Sequence, residues 1–173
     1  MDNFIPDMYQ KSIYHIDYDK LKEDGIKCLL FDLDNTCVPF KDKNPNKKLI
    51  ELFETLKDMD FKVIIFSNAT KKRLTPFKNE LRVDCSAGSR KPNSKKLLKV
   101  IKMFNYNLSD VAIIGDQLYT DILCGNRVGI KTILINPMSK DDMLFTKLFR
   151  FMEKKKFKKF AKMGILVKGK YYE

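Results

Sequence analysis

The chain reads as an α/β protein built on a doubly wound, Rossmann-like parallel sheet. Three observations predict this. Short β-rich runs alternate with helical patterns from residue 27 to residue 135. The runs are apolar throughout, as strands covered on both faces are. A length of 173 residues with 44% apolar side chains supplies one ordinary domain with a real core, and too little for two.

Each element has its own signal. Residues 27–31 (KCLLF) form an apolar run that ends in acids. Residues 45–59 place Leu49, Ile50, Phe53 and Leu56 on one helical stripe behind Pro45 and Asn46. FKVIIF at 61–66 reads as a second buried strand, followed by a basic helix over 71–80 and a short strand over 82–85. The stripe returns at 93–104 through Leu97, Leu98, Ile101 and Met103/Phe104. Strands at 111–114 and 131–135 enclose a helix over about residues 118–127. Right-handed crossovers arrange about five parallel strands, and ligands in such sheets sit at the strands' carboxyl ends. Residues 1–140 are expected to form the domain, with 1–24 as an N-terminal packing segment and 141–173 as a basic amphipathic extension.

Composition narrows the function. The net charge is +12, and residues 140–173 carry eleven Lys/Arg against four Asp/Glu. A basic surface attracts polyanions, either nucleic acid or an anionic membrane. Cys28, Cys37, Cys85 and Cys124 stand far apart with no CxxC pair, which excludes a zinc ribbon and speaks for reduced thiols in a cytoplasmic setting. No apolar run approaches the roughly 20 residues of a membrane helix. The opening MDNFIPDMYQ has neither a basic nor an apolar signal region, so no secretory signal is expected. His15, the one histidine, lies among tyrosines and is given no catalytic role.

The chemistry collects at strand ends. Asp32 and Asp34 follow the first strand, where one carboxylate can attack phosphorus while the other moves a proton at the leaving oxygen. With a further carboxylate they can also hold Mg²⁺, which prefers hard oxygen ligands. Ser67 and Asn68 follow the FKVIIF strand, Lys91 stands in SRKP before the next helix, and Asp116 ends the next strand, with Asp121 a helical turn beyond. Each has an ordinary structural explanation as a cap, turn or surface charge; their occurrence in order at successive strand ends does not.

DLDNT, the strand-end SN, the RKP lysine and GDQLYTD resemble motifs I to IV of the haloacid dehalogenase (HAD) phosphohydrolases. GDQ with Thr120-Asp121, then GNRVG at 125–129, TIL at 132–134 and Asn136-Pro137, resembles more narrowly the YqeG group, related to the mitochondrial phosphatidylglycerophosphate phosphatases. Ile5-Pro6-Asp7, Ser12-Ile13 and Gly25-Ile26-Lys27 fit the same group. The resemblance implies an HAD-like fold with Asp32 as nucleophile and Asp34 as general acid/base. It implies phosphate binding by Thr36, Ser67, Asn68 and Lys91, and Mg²⁺ held by Asp32, the Asp34 carbonyl, Asp116 and Asp121. Cys37 stands where the group more usually has Leu, and Ala69 where a second Asn is common; neither replaces a reacting atom.

The spacing leaves no room for a cap domain. Asp34 to Ser67 is 33 residues and Ser67 to Lys91 is 24, both consumed by a helix and a strand. The site is therefore expected to be open, suiting a phosphate on something large. By resemblance the substrate is phosphatidylglycerophosphate; a phosphoprotein, a polynucleotide end, or a binding role without turnover are the alternatives. Met143, Leu144, Phe145, Leu148, Phe149, Phe151 and Met152 make a broad apolar helical surface. Lys154, Lys155, Lys156, Lys158, Lys159 and Lys162 follow, interleaved with Phe157 and Phe160. This segment is expected to bring the protein to an anionic membrane surface. The alternative packs Leu144, Leu148 and Met152 on the domain. No base-reading nucleic-acid motif is present.

Overall fold

The computed structural model describes residues 2–141 and 144–173, without the side chains of 144–147. Six parallel strands form one sheet: β1 (Met8–Gln10), β2 (Cys28–Phe31), β3 (Lys62–Phe66), β4 (Asp84–Ser86), β5 (Val111–Gly115) and β6 (Lys131–Ile135). Their spatial order is β1-β6-β5-β2-β3-β4. Five were expected. The sixth, β1, is a three-residue strand in the N-terminal segment, too short to show as an apolar run; Met8 pairs with Ile133.

The helices are α1 (Tyr18–Glu23), α2 (Lys47–Asp58), α3 (Lys71–Leu81), α4 (Lys95–Met103), α5 (Leu123–Val128) and α6 (Leu144–Lys162). Side-chain oxygens start the two that enter the site's loops: Asn46 accepts from the Leu49 N–H at 2.9 Å and Thr70 from the Arg73 N–H at 3.3 Å. The helix expected over 118–127 begins instead as a widened π-turn, Leu118–Ile122, before α5.

Alternation along the central strands shows why they read as solid apolar runs. Leu29, Phe31, Val63, Ile65, Ala112 and Ile114 face a core formed with α1, α2 and α3. Cys28, Leu30, Ile64, Phe66, Val111 and Ile113 face a second core with Leu97, Val100, Ile101 and Cys124. Both faces are dry, so no polar position interrupts the pattern. Only helix, loop and strand fill the gaps from Asp34 to Ser67 and from Ser67 to Lys91; no cap domain is inserted.

A third cluster lies under α6, where Tyr9, Leu118, Ile122 and Leu134 meet Phe160 and Leu166. Leu148 does not pack there as the alternative reading of this segment had it: it is 59% exposed, as is 57% of Phe151. The inward stripe runs instead through Phe149, Glu153, Phe157 and Phe160, with Phe149 stacked on Tyr119 at 6.0 Å. Glu153 can take an inward position because its carboxylate accepts from Arg150 and the Leu118 N–H. The expected contributions of Met143, Leu144 and Phe145 lie outside the described residues and side chains. Among described residues, no helix is long and apolar enough to cross a membrane.

Candidate active site

The carboxyl ends of β2, β3, β4 and β5 lie at one edge of the sheet, and the loops after them supply the side chains. Past Phe31, the Asp32 N–H still donates to the Ile114 carbonyl at 2.9 Å, continuing the ladder. The chain then turns tightly: the Thr36 and Cys37 N–H groups reach back to Leu33 O, and Asn35 adopts φ 63°, a left-handed conformation that Asn tolerates. Leu33 is fully buried, while Asp32 and Asp34, one residue to either side, belong to the polar cluster at the strand ends.

Lys91 is the hub. Its Nζ donates to Asp32 Oδ1 at 2.7 Å, to Asp121 Oδ1 at 2.6 Å and to the Phe66 carbonyl at 2.8 Å, which uses all three ammonium protons. The residue is almost wholly buried. Burial alone would push its pKa down, but the charges of Asp121 and Asp32 outweigh that and hold it above the usual lysine range. Asn68 fixes the Lys91 backbone from both sides, accepting from its N–H at 2.7 Å and donating to its carbonyl at 3.1 Å.

Asp32, Asp116 and Asp121 each offer an oxygen within 4.8 Å of the others. Burial pushes Asp116 up to about 6 and Asp121 up to about 7; Arg150 and Lys91, respectively, pull the other way. Thr36 Oγ1 donates to Asp116 Oδ1 at 3.0 Å, which ties the loop after β2 to the end of β5. The Ser67 hydroxyl oxygen accepts from the Ala69 N–H at 3.1 Å and, among the described residues, its proton has no acceptor. The Asp121 carboxylate lies directly beneath Gly115, where a Cβ would stand 2.1 Å from Asp121 Cγ.

Three participants escaped the sequence reading. Arg73, on α3, donates through Nε at 3.1 Å and Nη2 at 2.7 Å to Asp34 Oδ1. Asp34 nonetheless has a raised pKa, because burial outweighs the guanidinium and the Asp32 charge adds to the rise. Arg150, on α6, donates to the Asp116 carbonyl at 2.9 Å, to Asp116 Oδ2, and to Glu153 Oε2 at 3.2 Å. Glu153 in turn accepts from Leu118 N–H. The only hint in the sequence was a lone arginine among the lysines of 147–162; nothing in spacing links residue 150 to residue 116. His15 is outside this site, paired with Ser12 Oγ at 2.8 Å.

Residues 88–138, which hold Lys91, Asp116 and Asp121, match the family profile of HAD-hydrolase-like proteins. Over 152 residues, 88% of each chain, the sequence is 38% identical to "Probable phosphatase YqeG" of Bacillus subtilis. It is 27% identical over 175 residues to Phosphatidylglycerophosphate phosphatase 1 of Arabidopsis thaliana, covering 93% of this chain and about half (49%) of that longer one. A solved 3-deoxy-D-manno-octulosonate 8-phosphate phosphatase from Moraxella catarrhalis, in complex with a magnesium ion, superposes with a TM-score of 0.50 and 18% identity over 60% of this chain and 65% of that one, a likeness of fold. With the strand-end carboxylates, the buried lysine and a relative this similar along nearly the whole length, the chain belongs to the HAD-type phosphatases, in the family of the Bacillus subtilis protein.

Proposed function

We propose that this phosphatase is a Mg²⁺-dependent phosphomonoesterase that works through an aspartyl-phosphate on Asp32 and converts phosphatidylglycerophosphate to phosphatidylglycerol. The observation that carries the chemistry is that Asp32 is hydrogen-bonded to the buried Lys91 ammonium and grouped with Asp116 and Asp121. Three close carboxylates are a hard-oxygen donor set, which fits Mg²⁺. Asp32, Asp116 and Asp121, with the Asp34 carbonyl, would hold the ion. When bound, it would supply charge neutralisation for the phosphoryl oxygens.

The chain's own groups account for the bond changes. An Asp32 oxygen forms a bond to phosphorus as the bond from phosphorus to the ester oxygen breaks. Asp34 gives that oxygen its proton, and burial, which raises its pKa, favours the protonated form. Asp34, now ionised, takes a proton from water as the water oxygen attacks phosphorus, and the Asp32–phosphorus bond breaks to release inorganic phosphate. Ser67 offers its hydroxyl proton to a phosphoryl oxygen, and the Lys91 ammonium aims Asp32 through its hydrogen bond.

The lipid substrate is supported by the relatives named for that activity and by the absence of an inserted cap domain. We place the reaction on the cytoplasmic side of an anionic membrane, reached through the exposed lysines of α6. The test is phosphate release from phosphatidylglycerophosphate in mixed micelles, with Mg²⁺ or EDTA, beside phosphopeptide and phosphorylated-oligonucleotide panels. Mg²⁺-dependent release from the lipid, falling at least about a thousandfold in Asp32→Asn with the fold unchanged, is the expected result. Release only from the panels would overturn the lipid, and wild-type rates in the variant would overturn Asp32 as nucleophile.

A further inference from the structure

A cleft of about 300 Å³ opens between α6 and the end of β6, and it reaches Asp116. That volume is at the lower end of ordinary ligand pockets. Its floor is apolar, made by Leu134, Pro137 and Phe157. Its rim is basic, with Arg150, Lys154 and Lys168. The two acids on its wall, Asp116 and Glu153, both accept from Arg150, so their charge is already answered. Lys154 and Lys168 differ: both are exposed, and among the described residues neither side chain makes an ion pair or hydrogen bond. The cleft thus offers two uncommitted ammonium groups over an apolar floor, and it reaches Asp116, which is grouped with Asp32 and Asp121.

We propose that this cleft is a subsite for a second anionic group on the substrate, a phosphodiester carried on the same alcohol as the scissile monoester phosphate, with Lys154 and Lys168 as the residues that recognise it. This rests on the phosphatase reading above and adds the basis of its selectivity. An open site cannot sort monoesters by enclosing them. It can do so by a second charge contact at a fixed distance, because binding energy gained away from the reacting bond discriminates between substrates. The placement also assigns a task to α6: it carries Lys154 on one wall while Arg150 ties that wall to Asp116.

The experiment compares three substrates with wild type and with the Lys154→Gln/Lys168→Gln double variant. The substrates are phosphatidylglycerophosphate, its deacylated water-soluble counterpart, and glycerol 3-phosphate, which has no second anion. Wild type should show a lower KM for the deacylated compound than for glycerol 3-phosphate. The double variant should raise KM about tenfold for both diester-bearing substrates, with kcat held, and leave both constants unchanged for glycerol 3-phosphate. Both lysines are exposed, so an unchanged melting temperature is expected and checks the fold. Equal effects on all three substrates, or none, would overturn the subsite. So would a KM effect confined to the lipid, which would assign the lysines to the membrane surface instead. Turnover of glycerol 3-phosphate without any of the phosphatidylglycerophosphate would overturn the lipid reading, a result distinct from loss of the lysine effect alone.

Discussion

Gly115 and Gly125 show how single residues divide between site and scaffold. At Gly115 a methyl group would stand 2.1 Å from Asp121 Cγ, so the carboxylate held by Lys91 would have to leave. At Gly125 the same methyl would meet Ile113 Cγ2 and Thr132 Cγ2 at 2.5 Å, forcing α5 off the sheet. Gly115→Ala should weaken Mg²⁺ binding by about 10- to 100-fold, measured by calorimetry. Gly125→Ala should instead cost about 1–3 kcal/mol of stability with near-normal Mg²⁺ affinity in the folded fraction. Equal Mg²⁺ affinities in the two variants would show that Gly115 is not there for Asp121. At this scale the strand-end rule made Asp32, Ser67 and Asp116 legible, because a residue's place after an apolar run is local information. Arg73, Arg150 and Glu153 were not legible, since each acts on a loop from a distant element and leaves no spacing signature.

At the scale of elements, α6 has two faces with different physical work. Burying Phe160 and Leu166 contributes roughly 1.5–3 kcal/mol each, and Arg150 and Glu153 pin the same face to Asp116 and Leu118. The outward face carries Lys155, Lys158, Lys159 and Lys162, with Leu148 and Phe151 exposed toward one end. Removing residues 154–173 would therefore tear out Phe160 and Leu166 together with the lysines, and could not separate membrane contact from folding. Charge replacement in place does separate them. Converting Lys155, Lys158, Lys159 and Lys162 to Gln should reduce binding to anionic vesicles by at least about tenfold, at roughly 1 kcal/mol per lysine near the surface. Hydrolysis of glycerol 3-phosphate should be unchanged. Undiminished vesicle binding in a sedimentation assay would remove α6 as the contact. The sequence showed the helix and its lysines; its inward stripe was misread because Glu153 counts as polar in any periodicity and here lies inside.

For the whole molecule, clustering acids in a dry site has a pH signature. Asp116 and Asp121 have raised pKa values, about 6 and about 7, so the folded state binds protons that the unfolded state releases near 4. Their contribution to stability is present below about pH 4 and is lost as pH rises through 6 to 7. Asp110, pulled down by the Asn107 N–H and by Lys27, acts in the opposite sense and only at lower pH. In EDTA the melting temperature should therefore be lower at about pH 7.5 than at about pH 5, and Mg²⁺ should raise it more at the higher pH. A Mg²⁺ effect equal at both pH values would speak against the triad as its seat. The sheet as a whole was legible because its central strands are continuous; β1 was not, because its identity comes from pairing with β6. That pairing reaches across the chain: the Asp7 N–H meets Thr132 Oγ1 over a separation of 125 residues, and Tyr9 exchanges both backbone hydrogen bonds with Tyr172. During synthesis β1 is thus made well before either of its neighbours, β6 and Tyr172. At about 5–20 residues per second it waits on the order of ten seconds, and for that interval a nascent chain carries Met8 and Tyr9 uncovered, within reach of whatever protects exposed apolar surface on the ribosome.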